Sequence, residues 1–579
     1  MAKRSKKKKG ARGDDFAPAA RNAGIASSPL FPPGRGWLWG LILGLAVVLV
    51  YLPVWNAGFI WDDDLVVTTN PVIVGPLGLS EIWTTSHADI CPFTLTTFWI
   101  EHALWGLAPA PYHVVNVLFH GGCAVVLWRV LRALRVPGAW LGAALWALHP
   151  VEVQSAAWIA EMKNTESGLF FLLAILFFLR WMKARDDGTR GDGNYALTLL
   201  FAALAMASKS STVILPVVLC LCAWWMEGRW QWRNLARFAP VFLMSVAAGV
   251  LSLWTQGLQL AASVDPQWVR TWPERIAAAG DAIWFYLGKL VWPDPLIFMY
   301  PRWQIDAAQW TSYLPLLAVI FVAVVLWLGR ESWSRPWFFV FAYLVVALFP
   351  ALGLADNYIF RYSLVFDHFQ YLASMGPLAL LGAAIYLSAN FETPWLRPGL
   401  CALVLLILAA LSWQQAGIYK NSETLWTDTL TKNPTCWAGY YNLGNAFSHQ
   451  GKISDALAQF QKSVEINPRY AKAHNNLGIA LARLGHLDDG MAEFQKALEI
   501  SPNDPDAYSN LGEAFLKKGE WDEAILQYQK ALEINPNDAD DEYDLGTALS
   551  KVGRGDEAMP HFRRARDLQS RAGSVDTTR

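Results

Sequence analysis

Residues 477–502 read LGIALARLGHLDDGMAEFQKALEISP, and this stretch decides the fold of the C-terminal region because its pattern returns at a fixed spacing. A Leu-Gly pair opens the pattern each time, and each glycine lies 34 residues after the previous one (478 − 444 = 34). A period of this length indicates stacked copies of one supersecondary unit. The pairs are Leu443-Gly444, Leu477-Gly478, Leu511-Gly512 and Leu545-Gly546.

Each copy carries the same residue types at the same offsets. A small residue lies twelve positions after each glycine, an aromatic residue lies four positions after that, and a proline closes the first three copies. The small residues let two helices approach closely, the aromatic ring fills the core between copies, and proline ends the second helix. This is the tetratricopeptide pattern. We predict an α-solenoid over residues 418–570, with half a repeat before four full ones. The small and aromatic positions are Ala456, Gly490, Ala524, Ala558, Phe460, Phe494, Tyr528 and Phe562.

The region before the repeats has the composition of a polytopic membrane protein. Over the 579 residues, 54% are hydrophobic and 16% are charged, and there are 31 Trp. Segments of spanning length recur through residues 36–417. The sequence therefore predicts an all-α fold: a multi-pass transmembrane domain of about eleven spans, with a first outer loop at 56–113, followed by the solenoid. The predicted spans are 37–55, 114–134, 138–159, 165–183, 195–208, 211–226, 236–256, 311–329, 337–353, 372–390 and 398–417.

The distribution of basic residues predicts the orientation. Residues 3–9 form a basic cluster in a tail, 1–35, that we expect to be disordered and cytoplasmic, like a second disordered tail at 571–579. This orientation agrees with the basic residues only if residues 281–292, about twelve residues long, form an interfacial or re-entrant helix instead of a span. The solenoid then lies on the periplasmic side of an inner membrane. A net charge of −1 gives no field that would favour nucleic acid as a partner.

An acidic run, Asp62-Asp63-Asp64, follows the first span directly. Carboxylates near hydrocarbon are costly, so their position needs a reason. Adjacent side chains on a loop point in different directions. One carboxylate can therefore take a proton from an acceptor hydroxyl while its neighbour orients or binds. A solvated turn is the alternative.

Other polar residues fall on the same predicted side and favour one shared cavity. Three cations are candidates for binding a donor phosphate, namely Lys163, Lys209 and Arg361, although Lys209 is equally compatible with a side chain that reaches for the interface. No convincing metal set is present, and Mg²⁺ or Mn²⁺ at the carboxylate-rich loop stays open. The candidate cavity residues are His149, Glu152, Gln154, Glu161, Asp367 and His368.

Several stretches together resemble the transmembrane-and-tetratricopeptide (TMTC-type) proteins of the GT-C class of glycosyltransferases, in a shorter prokaryotic form. This class includes the protein O-mannosyltransferases. The resemblance covers roughly residues 37–570. The stretches are Phe59-Ile60-Trp61-Asp62-Asp63, Pro92-Phe93-Thr94, Tyr112-His113-Val114-Val115-Asn116-Val117, Leu148-His149-Pro150-Val151-Glu152, Ser208-Lys209 and Asp367-His368-Phe369-Gln370-Tyr371-Leu372-Ala373-Ser374.

The resemblance implies transfer of a sugar from a polyprenyl-phosphate carrier to a hydroxyl of a protein acceptor held by the solenoid. It maps the acidic residue of the first outer loop, a base or a metal partner in this class, onto Asp62 and Asp63 without choosing between them. Two departures concern donor and acceptor binding: no Arg precedes Pro92, and Gln154 stands where the family has Glu. A non-catalytic scaffold that recruits partners, or a lipid-linked glycan ligase or polymerase, are the alternative functions.

Overall fold

The computed structural model describes residues 36–75, 77–85, 91–229, 235–263, 270–388 and 396–576. Within these ranges every regular element is a helix, which confirms the all-α prediction. The predicted tail at 1–35 lies outside the described residues.

Fifteen α-helices precede the repeats among the residues that the structure describes. Some are full spanning length, and others are short segments between 3₁₀ turns. They are α1 (Gly36–Val50), α2 (Leu79–Thr84), α3 (Pro92–Trp105), α4 (Pro109–Ala133), α5 (Ala139–Ala147), α6 (Val153–Ala157), α7 (Met162–Asp186), α8 (Asp192–Ser208), α9 (Leu215–Glu227), α10 (Leu235–Ser263), α11 (Trp272–Val291), α12 (Leu314–Leu328), α13 (Arg335–Leu348), α14 (Met375–Ser388) and α15 (Leu396–Ile418).

Six helical segments among the described residues are long and apolar enough to cross a membrane, and three apolar helices are shorter. The number of spans is therefore lower by this criterion than the eleven predicted. The six are Pro109–Ala133, Ile159–Asp186, Ser210–Glu227, Ala236–Gly257, Trp310–Leu328 and Pro398–Ile418, and the three are Gly36–Val50, Arg335–Ala351 and Met375–Ser388.

Two predicted segments differ from the observed helices. The span at 138–159 was wrong as one helix: α5 ends at Ala147 and a 3₁₀ turn, Pro150–Glu152, follows, because proline cannot donate the backbone hydrogen bond that would continue it. The helix predicted at 281–292 is the longer α11, which has 20 residues. A capping box starts it early, with the Thr271 N–H donating to Glu274 Oε2 at 2.8 Å.

Glycines bring α5 and α14 into backbone contact. A Cβ on Gly142 would lie 2.9 Å from Cα of Ala379, and one on Gly382 would lie 2.6 Å from the backbone of Gly142. Close helix approach through small residues is the usual way in which helices pack inside a bilayer. This contact fixes α14, and with it the loop 352–374 that precedes α14, against the centre of the domain.

The repeats form nine antiparallel helices, and the register is the predicted one. A Cβ on Gly478 would lie 2.6 Å from the ring of Phe494, so only glycine fits there. The last helix continues to Asp576, beyond the predicted end of the solenoid at residue 570. The helices are α16 (Ser422–Lys432), α17 (Trp437–His449), α18 (Ile453–Ile466), α19 (Ala471–Arg483), α20 (Leu487–Ile500), α21 (Pro505–Lys518), α22 (Trp521–Ile534), α23 (Ala539–Lys551) and α24 (Gly555–Asp576).

The solenoid is joined to the membrane part without a linker. Helix α15 ends at Ile418, and Asn421 caps α16 by accepting a hydrogen bond from the Thr424 N–H. The start of the solenoid also binds the segment after α11. Lys432 Nζ donates to the Leu296 carbonyl and Asn433 Nδ2 donates to the Met299 carbonyl, each at 3.0 Å. These bonds hold α16, the half repeat that opens the solenoid, against the segment after α11.

Candidate functional site

The acidic run lies in the loop between α1 and α2, and its three carboxylates have different surroundings. Asp63 is fully buried. Its Oδ2 accepts from the Ile60 N–H at 2.9 Å and its Oδ1 accepts from the Ala160 N–H at 2.7 Å. Burial raises the pKa of Asp63 well above its ordinary value, and the two amide hydrogen bonds oppose that shift. Both oxygens of Asp63 are thus occupied in holding the backbone.

Asp62 is half-buried and Asp64 is exposed. Asp64 Oδ1 accepts from Thr68 Oγ1 at 2.9 Å within its own turn. Burial raises the pKa of Tyr362, Arg361 opposes that shift, and the Asp62 carboxylate adds to it. Trp61, the residue before Asp62, packs on Tyr362 with ring centroids 5.6 Å apart, so the acidic run lies beside the loop between α13 and α14.

Trp61 holds this loop in a strained conformation. Its φ is +45°, a region that bulky residues rarely adopt. Four aromatic rings surround the indole and fix it. They come from the segment between α6 and α7, the segment after α11, the loop before α14 and helix α16. Their ring centroids lie 5.4 to 5.8 Å from that of Trp61. The four are Trp158, Phe298, Tyr362 and Trp426.

A second group centres on Glu161, which is 2% exposed. Lys163 Nζ lies 3.0 Å from Glu161 Oε1, and Lys209 Nζ lies 3.3 Å from Glu161 Oε2. Lys209 also donates to Asn164 Oδ1 at 2.5 Å. Two lysines and one carboxylate leave a net positive charge at this point. The structure thus brings together Lys163 and Lys209, which the sequence predicted as phosphate ligands.

His368 and Gln154 adjoin the same group. His368 Nε2 lies 3.8 Å from Glu161 Oε1, and the His368 N–H donates to Gln154 Oε1 at 2.9 Å. Burial lowers the pKa of His368 to about 3, so the ring is neutral at ordinary pH. Gln154 Nε2 donates to the Phe298 carbonyl at 3.1 Å. This bond links the group to the segment after α11, which also binds the start of the solenoid.

The remaining predicted cavity residues have other partners. Asp367 Oδ1 accepts from the Tyr300 hydroxyl at 2.9 Å, and burial raises the pKa of Asp367 to about 7. His149 Nε2 contacts the Leu290 carbonyl at 3.2 Å. Glu152 Oε1 accepts from Ser374 Oγ at 2.7 Å. These three are buried and tie loops to one another.

Arg361 does not join the lysines in the contacts that the structure describes. Its Nη2 donates to the Tyr362 hydroxyl at 2.6 Å, and its guanidinium lies 4.6 Å from the centroid of the same ring. Tyr362 stacks on Trp437 of α17 at 5.5 Å. Arg361 therefore lies on the side of the acidic loop that meets the repeats.

One polar network was missed from the sequence. Glu166, inside an apolar span, accepts from Thr94 Oγ1 and Thr97 Oγ1, each at 2.6 Å. Thr94 is also 3.1 Å from the carbonyl of Ser208, the residue before Lys209. An acidic residue in a span is itself a signal of a functional or structural role. Within the described ranges, no cluster of three or more His, Cys, Asp or Glu side chains is arranged to hold a metal ion.

Comparison with known proteins finds the repeats directly. Tetratricopeptide-repeat family models match residues 505–538, 408–471 and 441–505. Among solved structures, MamA is 24% identical with a TM-score of 0.25, covering 28% of this chain and 92% of MamA. YrrB is 22% identical with a TM-score of 0.24, covering 30% of this chain and 86% of YrrB. Scores this low support no conclusion about the chain.

Curated relatives extend the likeness into the membrane part. A Caenorhabditis elegans protein named protein O-mannosyl-transferase F38B6.6 is 23% identical over 460 residues, covering 74% of this chain and 63% of the relative. Drosophila melanogaster protein O-mannosyl-transferase Tmtc3 is 23% identical over 522 residues, covering 75% and 56%. Mouse protein O-mannosyl-transferase TMTC2 is 30% identical over 189 residues, covering 30% and 22%. The chain spans less than two thirds of each relative. It is a tetratricopeptide-repeat protein with apolar, membrane-type helices, and it is similar to proteins named TMTC-type protein O-mannosyl-transferases.

Proposed function

We propose that the protein is a membrane glycosyltransferase of the GT-C type that moves a sugar, mannose by the names of its relatives, from a polyprenyl-phosphate carrier to a protein hydroxyl. The reaction takes place on the periplasmic side of the inner membrane, where the solenoid presents the acceptor. The observation that carries the proposal is the link through Asp63, which bonds to the backbone of both the Asp62 loop and the Glu161 segment.

Asp62 is the general base in this proposal. Asp63 is unsuited to that task because backbone amides occupy both of its oxygens. As the acceptor oxygen forms a bond to the anomeric carbon, Asp62 takes the hydroxyl proton, and the carbon–oxygen bond to the phosphate breaks. The carrier leaves as polyprenyl phosphate. We expect inversion at the anomeric carbon by analogy with the class.

Lys163 and Lys209 hold the donor phosphate, and Glu161 orients them. Their ammonium groups lie on opposite oxygens of one buried carboxylate, so they converge without an external anion. A phosphate that carries developing negative charge in the transition state is stabilised by such preorganised cations. His368, Gln154 and Asp367 hold the loop before α14 in place around them.

The aromatic path from the acidic loop to the repeats supports a protein acceptor. Tyr362 stacks on Trp437, whose ring lies 4.6 Å from that of Tyr470 in the next repeat. This path leads from Trp61, the neighbour of Asp62, towards α17 and α19. Arg361 stands beside it, so we assign Arg361 to the acceptor side of the reaction, in place of the donor phosphate predicted for it from sequence.

The test uses the full-length protein in vesicles with radiolabelled polyprenyl-phosphate mannose and a Ser/Thr-rich acceptor peptide. Asp62→Asn is expected to lose at least about a hundredfold in transfer rate, as for loss of a general base, with unchanged thermal stability. Asp64→Asn is the matched control and should retain activity. Full activity of Asp62→Asn would overturn the assignment of the base. Transfer to a lipid-linked saccharide but not to peptide would favour the glycan ligase instead.

A further inference from the structure

Two arginines, Arg270 and Arg275, meet at the start of α11, away from the site described above, and the charge of a third, Arg302, interacts with that of Arg270. Arg275, in the first turn, is 8% exposed. Its Nη2 donates to Asp356 Oδ2 at 2.6 Å, its Nη1 donates to the Leu354 carbonyl at 3.2 Å, and its Nε donates to the Arg270 carbonyl at 2.9 Å. These bonds hold the start of α11 against the loop that follows α13, and they fix the backbone of Arg270.

Arg270 carries a donor without a partner. Its Nη2 is buried and makes no hydrogen bond within the described part of the chain. Burial lowers the pKa of Arg270, and Arg275 acts in the same direction, while Glu274 and Asp356 oppose it. Partial burial and repulsion by Arg270 lower the pKa of Arg302 to about 10. A buried guanidinium donor among like charges is unfavourable unless an anion completes it.

The helix end adds to the positive potential. Arg270 immediately precedes the N-cap Thr271, where the helix dipole presents its positive end. The nearby Glu274 uses Oε2 to accept from the Thr271 N–H in the capping box. Asp356 is bound to Arg275 and is 44% exposed. Neither carboxylate is hydrogen-bonded to Arg270 Nη2.

This group lies at the membrane surface. Helices α12 and α13 are joined by the short turn 329–334, so the start of α12 and the end of α13 lie at the same face of the bilayer. Trp272 and Trp310 are 64% and 71% exposed there. Exposed Trp at helix ends is typical of the interface with lipid headgroups. The guanidinium of Arg275 stacks over Trp272 at 5.2 Å, which places the arginines at that level.

We propose that Arg270, Arg275 and Arg302 form a binding site for the phosphate of an anionic glycerophospholipid of the bilayer. Arginine suits this ligand because its planar donors pair with phosphate oxygens. The acyl chains extend past Trp272 into the bilayer. No contact described for this site involves Asp62 or Glu161, so it is distinct from the proposed donor site and does not depend on the proposed reaction.

The probe is dioctanoyl phosphatidylglycerol, titrated into the full-length protein in a non-ionic detergent while the thermal unfolding midpoint is followed. Arg270→Gln and Arg302→Gln are each expected to weaken the apparent Kd by roughly tenfold, the loss of a charge-assisted hydrogen bond. Arg330→Gln is the matched control, since Arg330 lies beside Trp327 and Glu331 at the other end of α12. Its Kd should equal that of the wild type.

Two further titrations identify the ligand. Dioctanoylglycerol, which lacks the phosphate, should raise the unfolding midpoint far less than the phospholipid. Inorganic phosphate should bind more weakly than the phospholipid. An equal Kd for the phospholipid in the wild type and both arginine variants would overturn the proposal, and inorganic phosphate binding as tightly as the phospholipid would overturn its lipid source. Asp62→Asn should keep the wild-type Kd, so failure of the proposed transfer reaction is distinguishable.

Discussion

Asp63 accepts a hydrogen bond from the Ala160 N–H at 2.7 Å, and that bond joins the loop after the first helix to the residue directly before Glu161. The two residues are 97 positions apart in the chain. Asp63 belongs to the acidic run, and Ala160 directly precedes Glu161. The Glu161 carboxylate forms ion pairs with Lys163 and Lys209. The base and the phosphate ligands of the proposed reaction thus share one rigid connection.

Asp63→Asn is expected to destabilise the protein by about 1–3 kcal/mol, the cost of leaving a buried hydrogen-bonding group without its partner. The amide would place a donor against one of the two backbone N–H groups that now bind the carboxylate. Chemical unfolding in detergent measures the change, with Asp64→Asn as the exposed control. A stability equal to wild type would contradict the structural role of Asp63.

Glu161→Gln is expected to lower stability by about 3 kcal/mol, because it leaves two partly buried ammonium groups facing each other without their counter-charge. Lys163→Gln should cost less, since Glu161 keeps Lys209. The comparison of the two unfolding free energies checks the assignment. A larger loss for Lys163→Gln than for Glu161→Gln would argue against Glu161 as the centre of the group.

Trp61 and Trp426 should be energetically coupled, because their rings meet at 5.8 Å across the junction of membrane domain and solenoid. A double-mutant cycle with Trp61→Phe and Trp426→Ala is expected to give a coupling of about 0.5–1.5 kcal/mol. Trp413→Ala on α15, with a 46% exposed side chain, replaces Trp426→Ala in the control cycle and should give none. Strict additivity of Trp61 and Trp426 would show that the junction does not support the loop.

The pH dependence of stability should reveal Asp367. Its pKa is raised to about 7 by burial, while an unfolded Asp titrates near 4. Between these values the folded protein holds a proton that the unfolded chain has lost. The free energy of unfolding therefore falls as pH rises from about 4 to about 7, by up to ~1.4 kcal/mol per pH unit from this group. Asp367→Asn should flatten that slope in thermal unfolding measured at several pH values, whereas Asp64→Asn should leave it unchanged.

Gly478→Ala tests the repeat core. The added Cβ would lie 2.6 Å from the Phe494 ring and 2.8 Å from the Gly490 carbonyl oxygen. Overpacking of this kind costs about 1–3 kcal/mol. Gly555→Ala, where a Cβ meets nothing within 4 Å, should be neutral or slightly stabilising. Limited proteolysis and thermal unfolding compare the two variants, and equal stability would show that the helix pair can separate at little cost.

The sequence predicted the structure correctly where a single local pattern determines it. The repeats were predictable because the glycine, the small residue and the aromatic ring recur in one register, as Gly478, Gly490 and Phe494 do. The helical class of the membrane part followed from apolar length. The break after Ala147 follows from Pro150, which cannot continue a helix, whereas the predicted end of this span at residue 159 was too late.

The site was predictable in its members but not in their division of labour. The sequence placed Asp62 and Asp63 together, and it had no means of showing that Ala160 donates to only one of them. The φ of +45° at Trp61 depends on four rings that are distant in sequence. Arg361 was grouped with Lys163 by charge alone, whereas packing against Tyr362 directs it to the repeats.

The bonds from Lys432 and Asn433 to the segment after α11 hold α16 in a fixed position relative to the membrane domain. In the proposed reaction the solenoid therefore sets a fixed distance between the bound polypeptide and the site. A polypeptide held along the repeats would offer its hydroxyls at a constant distance from Asp62, so the position modified would be chosen by how many residues separate it from the held segment. Spacing, more than the residues flanking the hydroxyl, would then define an acceptor.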